Sequence, residues 1–296
     1  MQSFAQRTDL AAEARQLALG EDVGEIEGVQ FEEANEQGVK YQKLTVLNEK
    51  GQEAIGKPVG TYYTALISSV LRRESESFIG TTMAISKLIK NVMGNPGNDG
   101  CTLVVGLGNR DITPDVIGPL CAESVLVTRH LKTQAPEDFK FLSPVAVICP
   151  GVLGTSGIES ADYIKWVCSS LKPARVLVID ALAARGLDRL CKTVQITDTG
   201  ITPGSGVGNS RSAINQSVLG VPVTAIGVPT VVDIRSLLID MGDGKISEET
   251  ANANEMIVTP RNIDSEVVCA SRVVAYAINL ALHDGLSVED IDMLVG

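Results

Sequence analysis

The sequence predicts an α/β protein: a three-layer sandwich around a largely parallel sheet, with an extra β-hairpin near the amino end. Three observations carry this reading. Short apolar runs without polar alternation, such as Thr102–Val105, Val145–Ile148 and Val176–Ile179, read as strands buried on both faces. Segments of helical spacing lie between them, so strand and helix alternate and imply right-handed crossovers. Apolar residues make up 44% of the 296 residues but aromatics only 4%, so the core must be aliphatic and rich in alanine and glycine.

Taken in order, residues 8–37 are acidic and read as part helix, part loop. Val39–Leu47 alternates as a strand does, and Tyr62–Ser69 is its hairpin partner across the Gly51–Gly60 connection. Phe78–Met93 sets Phe78, Met83, Ile85, Leu88, Ile89 and Val92 at helical spacing, and the Asn95–Gly100 run is a turn. Then follow strand Thr102–Val105, helix Val116–Leu131 and strand Val145–Ile148. Helix Ile158–Leu171 is opened by Ser156 and Glu159 at capping-box spacing. Strands Val176–Ile179, Val194–Ile196 and Val221–Val228 come next, and helix Ile263–Leu282 begins near Asp264 and Ser265. Without repeats or a clear linker, residues 10–296 read as one domain behind a short segment 1–9.

Bulk properties exclude several classes. The net charge of −11 argues against direct nucleic-acid binding, which wants a basic face. The six cysteines contain no C-x-x-C pair and read as reduced thiols of a cytoplasmic protein, with Cys101 and Cys149 beside strands where buried thiols are common. The start, MQSFAQRTDLAAEA, has no apolar signal segment, and no apolar run reaches the roughly 20 residues that span a bilayer. The two histidines, His130 and His283, share no metal-binding spacing. No G-x-S-x-G elbow occurs, and Gly204, Gly206 and Gly208 match a dinucleotide loop poorly.

In a parallel sheet, functional groups gather beyond the carboxyl ends of the strands. Two of those ends carry acids. After Thr102–Val105 comes Gly106–Asp115, in which Gly108 and Asn109 give a tight path and Asp115 falls near the positive end of the next helix. Asp180 directly ends Val176–Ile179, a costly place for a carboxylate unless it reaches a cleft. On neighbouring strands the two would share a site, one keeping its proton, and would act together as base and acid. Alternatively, each acid only caps a helix or turn. Two glycine-bearing loops could line the same cleft: Pro150–Ser160, with Gly151, Gly154 and Thr155, and Asp198–Asn209, with Gly204, Ser205 and Gly206.

Seven segments together resemble the germination proteases of spore-forming bacteria: RTDLAAE (7–13), GLGNRDITPDVIGP (106–119), VTRHL (127–131), PGVLGTSGIES (150–160), IDALAAR (179–185), DTGITPGSGVGN (198–209) and GVPVTAIGVPTVVD (220–233). The resemblance implies a cytoplasmic endopeptidase of the spore core. It would be made as a self-processing zymogen, assemble as a homotetramer and degrade small acid-soluble spore proteins. It puts the family's two essential aspartates on Asp115 and Asp180, in a core similar to that of hydrogenase-maturation endopeptidases. No cofactor is required, and a divalent metal between the two aspartates stays open. Family substrates are cut after Thr-Glu and before Phe or Ile and then Ala, and Thr8-Asp9-Leu10-Ala11 is a close cousin of that site. Cleavage between Asp9 and Leu10 is therefore expected, although Thr8-Asp9 could instead cap a helix beginning near Leu10. The chain is shorter than most members after the first hairpin, at the carboxyl end and before Arg7, departures that leave the acid pair untouched. The alternatives are a maturation endopeptidase trimming one partner protein and a non-catalytic binding module on the same core.

Overall fold

The structure, a computed structural model, describes residues 7–20, 24–68, 75–94, 100–241 and 256–295. The Asn95–Gly100 turn lies almost wholly outside them. One mixed sheet organises the chain. Its strands are β1 (Val29–Glu36), β2 (Val39–Val46), β3 (Gly60–Leu66), β4 (Thr102–Gly106), β5 (Val145–Ile148), β6 (Arg175–Ala184), β7 (Thr193–Thr197), β8 (Val223–Asp233) and β9 (Ile257–Val258). The order across the sheet is β1-β2-β3-β7-β8-β6-β4-β5, with β9 on the end of β8. Parallel pairing joins only β8, β6, β4 and β5; β1, β2, β3 and β7 are antiparallel to their neighbours, so the sheet is mixed rather than largely parallel.

The parallel strands were legible because both of their faces are covered. Val104, Leu177, Ile179, Ile226 and Val228 face one layer, built from α3 (Ser75–Met93), α4 (Ile117–Glu123) and α10 (Ile263–Leu282). Leu103, Val105, Val176 and Val178 face the other, where α7 (Ser160–Leu171) sets Ala161, Ile164 and Cys168. The switch between adjacent residues follows the period of two in a strand. On that second face, α1 (Ala11–Leu19) and α2 (Glu49–Ile55) cover the hairpin by packing Ala11, Ala14 and Ile55 on Leu44, Val46 and Tyr62. This completes three layers. By length and apolarity α10 would suffice to cross a membrane, but it lies in the core, with Val273, Val274, Ala277 and Ile278 fully buried.

Several expectations are corrected. The acidic stretch 8–37 contains a strand as well as a helix: β1 is an edge strand exposing Glu32 on one face and Glu33 on the other, so it reads as loop. The expected helix Val116–Leu131 is two helices, α4 and α5 (Arg129–Gln134). Between them the buried Asn279 of α10 accepts from the Leu126 amide and donates to the Ser124 carbonyl, satisfying backbone that a helix would have satisfied itself. The expected Ile158–Leu171 helix is preceded by a turn of its own, α6 (Leu153–Ser156). The capping box is not used: Ser156 bonds back to the Val152 carbonyl, and Glu159, at the N-cap of α7, makes no side-chain cap. Among the described residues no disulfide forms; Cys149 is exposed rather than buried. The helices α8 (Gln216–Leu219), α9 (Ile234–Met241) and α11 (Val288–Val295) complete the chain.

Candidate active site

Beyond β4 the chain stays on β6, because the Leu107 amide donates to the Ile179 carbonyl at 2.8 Å. It then turns sharply through Gly108, whose φ is +121°. A Cβ at Gly108 would lie 1.9 Å from the carbonyl oxygen of Asp115, so only glycine lets this loop close. The Asn109 amide donates to Asp115 Oδ2 at 2.7 Å. Thr230 on β8 donates its hydroxyl to the Pro114 carbonyl at 2.6 Å, pinning the short 3-10 turn Thr113–Asp115 over the sheet. Asp115 was expected to be stabilised in its charged form by a helix end. Instead, burial pushes its carboxyl above the usual range, and the Asn109 amide only partly opposes this.

Asp180 does not end its strand. β6 runs on to Ala184, so the acid sits mid-strand, 6% exposed, accepting at Oδ1 from the Ala181 amide at 2.9 Å. Burial raises its carboxyl well above the usual range, and the nearby carboxylates of Asp115 and Asp9 raise it further. Its register partner on β8 is Gly227, whose own partner on β7 is Gln195. Asp180 and Gln195 therefore point to the same face, with no side chain between them on β8; Leu182 leans into that gap, 2.4 Å from where a Gly227 Cβ would be.

The third carboxylate arrives from the amino end. The Asp9 amide donates to the Ala183 carbonyl at 2.9 Å, and Asp9 Oδ2 accepts from the Ala183 amide at 2.8 Å. Ser205 donates its hydroxyl to Asp9 Oδ1 at 2.6 Å. Gly206 lies against the same carboxylate, where a Cβ would come 2.3 Å from Oδ2 and 2.7 Å from the Ala183 Cβ. Leu10 is fully buried among Leu182, Ala184, Leu190 and Val232. Residues 8–11 are thus bonded into the body of the protein across the expected boundary at residue 9. Nor does Asp9 cap α1, whose N-cap Leu10 has no side-chain bond. Glu13, also buried, accepts from the Arg185 and Gly186 amides and from the Thr8 hydroxyl.

Two of the expected cleft loops fare differently. Pro150–Ser160 follows β5, the outermost parallel strand, and bonds largely to itself: Thr155 to the Val152 carbonyl, Ser160 to the Gly151 carbonyl, while Gly154 faces open space. The start of Pro150–Ser160 lies beside the loop that carries Asp115, where the Arg110 guanidinium reaches Cys149 Sγ at 4.0 Å. The Asp198–Asn209 loop reaches Asp9, by another path than the expected one. β7 is antiparallel to β8, so this loop leaves from the opposite edge and climbs the face until Ser205 meets Asp9. Arg211, just beyond it, pairs with Glu159 at 3.8 Å. Sequence reasoning missed Lys57 and Gln195. Lys57 donates to the carbonyls of Thr8 and Asp9 at 2.9 and 3.0 Å; Gln195 donates to the Asp9 carbonyl at 3.1 Å and accepts from the Ala11 amide at 2.7 Å. The one available signal was a polar Gln195 inside the otherwise apolar centre of Thr193–Thr197. Among the described residues no three His, Cys, Asp or Glu side chains converge as a metal cage would.

These features define a three-layer α/β protein with a cluster of carboxylates where β4 ends beside the middle of β6. A family model of germination proteases matches residues 5–247. Germination proteases of Clostridium tetani and Caldanaerobacter subterraneus subsp. tengcongensis are 38% and 39% identical, each aligned over at least 97% of this chain and 98% of their own length. That of Bacillus cytotoxicus is 43% identical over 82% of this chain and 67% of its own. The chain belongs to the germination protease family, and with it to the peptidases. A NiFe hydrogenase maturation protease from Thermococcus kodakarensis superposes with a TM-score of 0.36 at 15% identity, covering 64% of this chain and 98% of that one.

Proposed function

We propose that this chain is an aspartate-dependent endopeptidase that degrades small acid-soluble spore proteins in the spore cytoplasm, with Asp115 and Asp180 as its catalytic pair. The supporting observation is the unequal burial of two adjacent carboxyls. Burial raises both carboxyls, Asp180 more strongly, so in this reading Asp180 is the partner that keeps its proton and Asp115, bonded to the Asn109 amide, the one that ionises. Ionised Asp115 takes a proton from water as the water oxygen attacks the peptide carbonyl carbon, and Asp180 gives its proton to the carbonyl oxygen. Collapse of the resulting diol breaks the C–N bond. Asp115 returns its proton to the leaving nitrogen while Asp180 recovers one from the diol, so both acids end as they began. No step needs a metal or cofactor, and hydrolysis is expected to survive chelation.

The same reading makes the chain a self-processing zymogen of a homotetramer, cut between Asp9 and Leu10. Asp115→Asn and Asp180→Asn are expected to lose at least about 100-fold in kcat/KM on a spore-protein substrate, the scale of a missing acid–base group, with unchanged circular dichroism. Intact-mass measurement tests processing in the same samples: the unmodified chain loses Met1–Asp9 and the Asp180→Asn chain stays whole. Near-normal hydrolysis by either variant refutes the assigned roles.

A further inference from the structure

The two edges of the sheet are not alike. At one end β1 exposes Glu32 and Glu33, and such charges keep an edge strand from pairing with another chain. At the other end β5 reads Val145-Ala146-Val147-Ile148, with no charge and no proline. Its register on β4 fixes where each backbone group points. The Thr102 amide donates to the Pro144 carbonyl at 2.9 Å, and Thr102 stands opposite Val145. In a parallel ladder this turns the backbone groups of Pro144, Ala146 and Ile148 toward β4 and those of Val145 and Val147 outward. Val145 is satisfied there by a single residue: its amide donates to the Thr128 hydroxyl at 2.9 Å, and its carbonyl accepts from the Thr128 amide at 3.1 Å. Among the described residues the outward groups of Val147 meet no such partner, nor does the backbone of exposed Cys149.

This open row leads to the loop of the carboxylates. Arg110 Nη2 lies 4.0 Å from Cys149 Sγ, and Arg110 follows Asn109, whose amide donates to Asp115. A strand laid outside β5 would be three strands from β6, so roughly 14 Å from the Asp180 backbone at the usual spacing. About four residues of extended chain cover that distance. The row is too short to hold a second folded copy, because Thr128 closes it at Val145 and only Val147 and Cys149 are left to pair. One extended segment, read through its main chain, is what fits.

We infer that the outer edge of β5 is a secondary docking strand for the polypeptide being cut: an extended segment of the substrate pairs with the backbone of Val147 and Cys149, about four residues from the bond that reaches Asp115 and Asp180. The inference rests on the endopeptidase reading for its purpose. Because main chain is what is read, the edge accepts varied side chains and favours long, unfolded substrates over short peptides.

The decisive variant is Val147→Pro. The ring removes the outward amide and sets carbon in its place, while Ala146 and Ile148 keep their bonds to β4, as proline on an edge strand allows. The assay compares kcat/KM on an intact small acid-soluble spore protein with kcat/KM on a hexapeptide spanning its cleaved bond. The ratio of the two is expected to fall at least about tenfold, the scale of one lost hydrogen bond with its steric block. General damage to the fold would lower both values and leave the ratio alone. An unchanged ratio overturns the inference. If Val147→Pro does not fold, hydrogen exchange on the full-length Asp180→Asn chain decides, since the proposed mechanism leaves that chain unable to hydrolyse. With saturating spore protein the Val147 and Cys149 amides are expected to slow at least about tenfold, while those of Ala146 and Ile148, already paired with β4, hold steady. Exchange without this alternation overturns the inference. So does slowing that follows protein concentration without substrate, which would mean pairing between two copies. A ratio that collapses in Val147→Pro while Asp115→Asn and Asp180→Asn hydrolyse normally would sink the acid-pair mechanism and leave the docking strand standing. Hydrolysis that needs both acids, with an unchanged ratio in Val147→Pro, would do the reverse.

Discussion

Replacing Gly108 by alanine should separate the positioning of Asp115 from the stability of the fold. The new Cβ would lie 1.9 Å from the Asp115 carbonyl oxygen, about 1.1 Å inside the closest approach that real Cβ atoms tolerate. The obstacle is backbone, and the turn that carries it is pinned by the Thr230 hydroxyl on Pro114. The φ of +121° adds strain of its own, for a total on the order of 1–3 kcal/mol. For a chain of this size that lowers Tm by roughly 2–5 °C. The turn must shift by about 1 Å, and Asp115 with it, a displacement on the scale that costs about 100-fold in rate. Differential scanning fluorimetry and kcat/KM on one preparation test both numbers. Gly154→Ala is the control, since a Cβ there meets nothing within 4 Å and should change neither. A Gly108→Ala chain with the expected Tm loss but unimpaired kcat/KM would refute the placement of Asp115 in the reaction.

Other outcomes follow from the same geometry. Gly206→Ala should push on Asp9 Oδ2 and the Ala183 Cβ, loosening the amino-terminal segment; hydrogen exchange at the Ala11 amide should quicken at least tenfold, and unchanged exchange counts against the contact. Asp180 has a raised folded-state pKa, so the folded chain binds the extra proton and stability falls as pH climbs above the unfolded value of about 3.9. Asp180→Asn should therefore raise the urea midpoint at pH 7 but not at pH 4, and an equal shift at both would contradict its burial as an acid. His283 is the opposite case. Its ring is buried, accepts at Nδ1 from the Ser143 amide and is held down to about 4, so stability present above pH 6.5 is lost as pH falls toward 4. The expected loss is about 3 kcal/mol. Urea midpoints of the unmodified and His283→Gln chains should converge on acidification, and parallel profiles would exclude it.

The sequence by itself determined the parallel half of the sheet, the long helices and the two acids. β4 and β5 and the bounds of α10 follow from apolar runs and helical spacing, because those elements are covered by protein and their residue types answer only to burial. The motif-bearing segments identified the family through local strings such as GLGNRDITPDVIGP, in which chemistry and turn geometry are written within a few residues. What spacing could not carry is direction and distant company. β7 runs against β8 and pairs antiparallel with the hairpin strand β3, and so the Asp198–Asn209 loop reaches Asp9 across a face rather than around an edge. β1 escaped notice because an edge strand exposed on both faces over most of its length has the composition of an acidic loop. Asp180 looked like a strand end because apolarity breaks there, yet the backbone ladder with β8 continues past it. Lys57, Gln195 and Ser205 lie 48, 186 and 196 residues from Asp9 and meet it only in space. Their role depends on side chains satisfying buried backbone groups of a segment remote in sequence, and hydrogen bonds of that kind are decided by tertiary packing alone.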